Sequence, residues 1–117
     1  MEKILVIEDE ALIAWELKGR LTNMGWDVVG IAYGAEGVEL ARQTEPDLLL
    51  SDTHLKYGLS GIDLALEIQR ERDLPVIFLT AYSDEETVNN AKQASPFGYF
   101  IKPVETRELQ INIEMAL

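Results

Sequence analysis

Short unbroken apolar runs alternate along this chain with longer stretches in which apolar residues recur every three or four positions. Ile4-Leu5-Val6-Ile7 opens the pattern, and from Ala11 to Met24 the apolar positions Ile13, Leu17, Leu21 and Met24 follow the spacing of a helix that stops at Gly25. Val28-Val29-Gly30-Ile31-Ala32 predicts a second strand, and a short helix over about Ala35 to Thr44 ends ahead of Pro46. The third strand is Leu48-Leu49-Leu50-Ser51, followed by a Gly- and Ser-containing loop and a helix from about Gly61 to Glu71 carried by Ile62, Ala65, Leu66 and Ile68. Asp73-Leu74-Pro75 breaks that helix before Val76-Ile77-Phe78-Leu79. Ser83-Asp84-Glu85-Glu86 fits a capping box with Ser83 as N-cap and Glu86 at N3, opening a more polar fourth helix. Pro96 and Gly98 introduce the run Tyr99-Phe100-Ile101, and Val104 to Leu117 forms the last helix, with Pro103 suited to its first position. Trp15 and Trp26 are expected to be packing residues.

Five strand–helix units in series predict an α/β fold, an open five-stranded parallel sheet with helices on both faces and the flavodoxin-like order 2-1-3-4-5. The first, third and fourth runs lack polar alternation, as strands buried on both faces do. In such a sheet the carboxyl ends of the strands share one rim, and sites form at the switch point between strands one and three. Glu8-Asp9 follows the first run, Asp52 the third, Thr80 the fourth and Lys102-Pro103 the fifth. Singly each has an ordinary reading: acids suit a helix start, and threonine suits a strand. Together they put three carboxylates, a hydroxyl and an ammonium in a small volume. Carboxylates so placed either raise their pKa values or hold a cation. An all-oxygen donor set favours Mg²⁺ (or Mn²⁺). Asp52 is then a carboxylate nucleophile, with Lys102 and Thr80 available to phosphoryl oxygens, which is most of what phosphoryl transfer needs.

At 117 residues the chain is long enough for one domain, 1–117, with one core. It has no cysteine, which excludes disulfides, thiolate metal sites and thiol nucleophiles. A formal net charge of −11 disfavours direct binding to a phosphate backbone, so no nucleic acid is expected as a direct partner. The apolar runs are too short to cross a bilayer, and Met1-Glu2-Lys3 runs into the first strand without a signal-peptide core. A soluble cytoplasmic protein with no membrane partner is expected. His54 is the only histidine, which removes three-histidine metal sites. An aspartate-nucleophile phosphatase would carry a D-x-D pattern after the first strand, which Glu8-Asp9-Glu10 does not supply, and a flavin module would carry a hydroxyl-rich loop there.

On Glu8-Asp9, Asp52, Thr80-Ala81 and Tyr99…Lys102-Pro103 together, the chain resembles the receiver domains of two-component response regulators, over nearly its whole length. The resemblance implies a signalling switch rather than a metabolic enzyme, catalysing only its own phosphorylation and dephosphorylation. Asp52 is the implied phosphoacceptor, served by a sensor histidine kinase or phosphotransfer protein in a phosphorelay. Asp9 is the implied direct metal ligand, Glu8 acts largely through water, and the His54 backbone carbonyl completes the set. Thr80 and Tyr99 are the implied switch pair, altering the face formed by the fourth helix, fifth strand and fifth helix. The Lys102–Pro103 bond is implied to be cis. His54 and Tyr82, each two residues beyond a site residue, are expected to slow loss of the phosphoryl group. The alternative is a pseudo-receiver, an interaction module that is never phosphorylated.

The chain departs from the family pattern in the loop after Asp52. Where most receivers have Met-Pro, it has Leu55-Lys56, and the loop carries one extra residue, Gly58. In the last helix Leu109, Ile113 and Ala116 make one apolar stripe while Ile111 and Met115 lie off it, which suggests a homodimer or output-partner contact there. That helix reaches Leu117 without a Gly or Asn stop, compatible with a domain of a longer protein or a free-standing receiver.

Overall fold

A computed structural model describes residues 2–117. The strands are β1 (Lys3–Ile7), β2 (Asp27–Ala32), β3 (Leu48–Ser51), β4 (Val76–Thr80) and β5 (Gly98–Ile101). They form one sheet in the order β2-β1-β3-β4-β5, every pairing parallel, as the alternation of strand and helix patterns predicts. Between and after them run α1 (Ala11–Asn23), α2 (Gly37–Thr44), α3 (Gly61–Glu71), α4 (Glu85–Ala91) and α5 (Thr106–Ala116).

Side chains alternate across a strand, so each central strand feeds two cores. Leu5, Ile7, Leu49, Val76 and Phe78 pack with α2, α3 and the end of α4. Ile4, Val6, Leu48, Leu50, Ile77 and Leu79 pack with Leu17 and Leu21 of α1 and with Leu109 and Ile113 of α5. Ile4 to Ile7 of β1 and all of β3 and β4 are buried, whereas β2 and β5, at the sheet edges, are mostly half-buried. Each fully buried Leu, Ile or Phe contributes about 1.5–3 kcal/mol relative to exposure. Two such layers hold the strand ends against the repulsion of the acids placed there.

Three local expectations change in the folded chain. The N-cap of α4 is Asp84 rather than Ser83, and it accepts from the Thr87 N–H at 3.0 Å and from the Thr87 hydroxyl. An ionised carboxylate that takes both donors is a stronger cap than a serine hydroxyl. Pro103 does not begin the last helix. It lies in the loop after β5, joined to Lys102 by a cis peptide bond, and α5 starts at Thr106. Glu105 caps α5 instead, accepting from the N–H groups of Arg107 and Glu108. Trp15 is not a packing residue: it is 68% exposed, because α1 buries Ala14, Leu17 and Leu21 and Trp15 lies off that stripe. Trp26 does pack, partly buried, against the α1–α5 core. Arg20 of α1 donates to the Val104 carbonyl and to the Thr106 hydroxyl, tying α1 to the start of α5 and to the loop that follows Lys102.

Two positions set the path from β3 to α3. A Cβ at Gly61 would lie 1.8 Å from the Asp52 carbonyl oxygen, so only glycine lets α3 start directly against the end of β3. Tyr57 (φ 62°) and Gly58 (φ 72°) are consecutive left-handed residues, and the tyrosine ring is fully exposed. For a non-glycine residue that conformation costs about 1–2 kcal/mol, which loop contacts must offset.

The hydrogen bonds from Thr87 hold the Asp84 carboxyl below the usual carboxylate range. A depressed folded-state pKa gives stability that is present above the unfolded value near 3.9 and is lost as pH falls through the folded one. Asp84→Ala is therefore expected to lower the urea midpoint clearly at about pH 6, with a smaller difference from the parent protein at about pH 3. Parallel urea titrations at the two pH values measure this.

Candidate functional site

The site follows from register. Ile7 of β1 is paired with Ser51 of β3, and Ser51 with Phe78 of β4, so Glu8 and Asp52 leave adjacent strands side by side. The Asp52 N–H donates to the Ile7 carbonyl, and the Lys102 N–H to the Thr80 carbonyl, which keeps the strand ends level beyond the sheet itself. Carboxylate oxygens of Glu8, Asp9 and Asp52 all lie within 4.8 Å of one another. At an effective dielectric near 20 such like charges repel by roughly 3–4 kcal/mol per pair.

Lys102 is the internal counter-charge. Its ammonium donates to Glu8 Oε1 and, at 2.8 Å, to Asp52 Oδ2. Burial alone would pull the Lys102 pKa down, but the bonds to Asp52 and Glu8 outweigh it and hold the ammonium above its ordinary value. Burial pushes the Glu8 carboxyl up, against the bonds from Lys102 and the Glu10 N–H, and the Asp52 charge adds to the rise. One ammonium offsets one of three carboxylates. The remaining charge, presented by hard oxygen donors only, fits a small divalent cation such as Mg²⁺.

Asp52 is almost wholly buried, and its two oxygens have different partners. Oδ2 faces Lys102, while Oδ1 accepts from the Thr53 N–H at 2.7 Å and, more weakly, from the His54 N–H at 3.4 Å. Thr80 is fully buried at the end of β4, where its hydroxyl oxygen accepts from the Tyr82 N–H and shares a 2.7 Å hydrogen bond with the Thr53 hydroxyl. The Thr53 hydroxyl also meets His54 Nδ1 at 2.9 Å. The His54 ring stacks on Tyr82, centroids 3.8 Å apart, so the loops after β3 and β4 touch at the lip of the site. Tyr99 donates its hydroxyl to the Tyr82 carbonyl at 2.6 Å. Burial first, then the charges of Asp84 and Asp52, raises the Tyr99 phenol above its ordinary value.

Glu8, Asp9, Asp52, Thr80 and Lys102 thus stand at one rim, with His54 and Tyr82 at its edge and Tyr99 bonded to the backbone behind them. Pattern reading missed Thr53. Its link to Thr80 spans 27 residues and leaves no mark in local spacing. It also missed the Lys56 N–H, which donates to Asp9 Oδ2 at 2.6 Å across 47 residues. Among the described residues no helix is long and apolar enough to cross a membrane.

The model of the response regulator receiver domain family matches residues 4–114. The transcriptional regulatory protein PdtaR of Mycobacterium tuberculosis is 39% identical over 98% of this chain and 56% of its own length. The phyllosphere-induced regulator PhyR of Methylorubrum extorquens is 34% identical over 98% of this chain and 43% of its own length. The chain spans about half the length of the curated relatives it matches. Among solved structures, the signal receiver domain of a modulated diguanylate cyclase from Desulfovibrio desulfuricans superposes with a TM-score of 0.93 at 38% identity, covering 99% of this chain and 93% of that one. A response regulator receiver domain from Clostridium thermocellum gives 0.89 at 31% identity over 99% and 94%. A parallel sheet in the order 2-1-3-4-5, an acid trio at its switch point and a family match over nearly every residue converge on one conclusion: this chain belongs to the response regulator receiver domain family of two-component signalling systems.

Proposed function

We propose that this domain is a phosphorylatable receiver in which Asp52 accepts a phosphoryl group from a phosphohistidine on a sensor kinase or phosphotransfer protein. The observation that carries this reading is the state of Asp52: a buried carboxylate, one oxygen on Lys102, beside two further acids and a buried threonine hydroxyl. An Asp52 oxygen attacks phosphorus as the nitrogen–phosphorus bond breaks. The imidazole leaves with the bonding pair and takes up a proton, and an acyl phosphate remains. Lys102 moves from pairing two carboxylates to pairing one carboxylate and a phosphoryl oxygen, so its charge is used before and after transfer. Thr80 turns its hydroxyl from Thr53 to a phosphoryl oxygen and donates there. Glu8, Asp9, Asp52 and the His54 carbonyl would hold Mg²⁺ (or Mn²⁺), which when bound offsets the remaining carboxylate charge and that of the transferring group.

Movement of Thr80 breaks its bond to Thr53 and shifts the segment carrying Tyr82, whose carbonyl holds the Tyr99 hydroxyl. Thr80 and Tyr99 are therefore the proposed switch, and α4, β5 and α5 the face a partner reads. On α5, Leu109 and Ile113 are buried while Ile111 and Met115 are exposed, Met115 at 72%, which supports contact with a second copy or an output partner there.

Incubation with Mg²⁺ and acetyl phosphate is expected to add one phosphoryl group by intact-mass spectrometry, lost in Asp52→Ala and on adding EDTA. A folded protein that takes up no group would instead favour a phosphorylation-independent interaction module. His54→Gly and Tyr82→Ala open the lip of the site to water and are expected to speed loss of the phosphoryl group several-fold, as followed by the decay of that adduct. Ile111→Glu is expected to weaken any association of the phosphorylated form, measured by sedimentation velocity. A phosphorylated protein that is monomeric with or without this change excludes self-association through α5.

A further inference from the structure

We infer that the backbone N–H of Lys56 is a positioning group for Asp9, setting how tightly this domain takes up its divalent cation. The inference rests on the receiver reading above and adds a residue to it. Glu8 is held by Lys102 and the Glu10 N–H, and Asp52 by Lys102 and the Thr53 N–H. Among the described residues, the Asp9 carboxylate has one hydrogen-bond donor, the Lys56 N–H, at 2.6 Å.

The loop after β3 is shaped to present that donor. The Leu55 N–H donates to the Leu59 carbonyl at 2.9 Å, and His54 bridges Ser60, which closes the base of a small loop. The left-handed pair Tyr57 and Gly58 turns the chain at its tip, and the Tyr57 side chain is fully exposed, so packing of the ring does not account for the strain. The Lys56 side chain is exposed as well, which leaves the main-chain N–H as the part of this residue that enters the site.

A carboxylate oxygen has two lone pairs, so Oδ2 that accepts from Lys56 keeps one for a cation, and Oδ1 keeps both. The bond therefore fixes the ligand without occupying it. Asp9 leaves β1 by a short turn into α1 and is half-buried. Without the bond its side chain would have to be ordered when the ion arrives. Hydrogen bonds to ligating carboxylates act this way, and losing one typically weakens metal binding 10–100-fold. A proline at this position would have no N–H to give.

The test compares Lys56→Pro with Lys56→Ala by Mg²⁺ titration of the full chain, read by calorimetry. Alanine removes the side-chain charge and keeps the N–H; proline removes both. Leu55 is extended (φ −114°, ψ 167°), the conformation required before proline, so the substitution fits the backbone. Lys56→Ala is expected to bind Mg²⁺ within about twofold of the parent, and Lys56→Pro about tenfold more weakly than Lys56→Ala. Equal affinities of the two variants, with the parent binding normally, overturn the inference. A parent that takes up no Mg²⁺ overturns the receiver reading itself. If Lys56→Pro does not fold, the amide resonance of Lys56 in the metal-free parent decides. A downfield signal that is lost in Asp9→Ala supports the bond, and a signal unmoved by that change overturns it.

Discussion

Three carboxylates cannot be brought within a few ångströms of one another unless something else holds them there, and this constraint organises the rest of the domain. Glu8, Asp9 and Asp52 are delivered by two adjacent parallel strands whose register leaves Ile7 opposite Ser51. The apolar residues behind them, Ile4 to Ile7, Leu48 to Leu50 and Val76 to Leu79, are packed from both faces. Their burial supplies the energy that keeps the acids together. Lys102, just past the end of β5, the next strand but one from β3, offsets part of the repulsion and pairs with two of the three acids. The charge left over, carried by oxygen donors alone, is of the kind a small divalent cation would offset.

Around that rim the hydrogen bonds run outward through two loops. Thr53 joins the backbone beside Asp52 to the Thr80 hydroxyl and the His54 ring; His54 stacks on Tyr82; the Tyr82 carbonyl holds the Tyr99 hydroxyl. Each link is a short polar or aromatic contact rather than deep packing, so a change at Thr80 need not disturb the core. On the other side Lys56 ties the loop after β3 to Asp9. The interior is rigid because it is apolar and close-packed, and the loops are where a local change of charge can be felt.

How much of this was open to inspection in the chain alone follows from the range of the interactions. Strand and helix positions, the all-parallel order and the convergence of Glu8, Asp9, Asp52, Thr80 and Lys102 were legible. Unbroken apolar runs, helical spacing and the residues just past each run are local patterns, and a parallel sheet converts them into one rim. Caps were less legible. Asp84 and Ser83 are both good N-caps by type, and only the folded chain decides which lies within reach of Thr87. Trp15 misled because a large aromatic residue is ordinarily buried, while the stripe that α1 turns inward is set by its packing on β1 and β2.

The amino-acid sequence by itself determined the fold class, the family and the chemical character of the site, because each depends on residue types at short, repeated spacings. Only the tertiary structure decided who bonds to whom. The Thr53–Thr80 bond, the His54–Tyr82 stack and the Lys56 N–H on Asp9 join segments far apart in the chain. The last of these is made by a backbone group that every residue except proline possesses, so its partner is chosen by the path of the loop and not by the identity of the side chain.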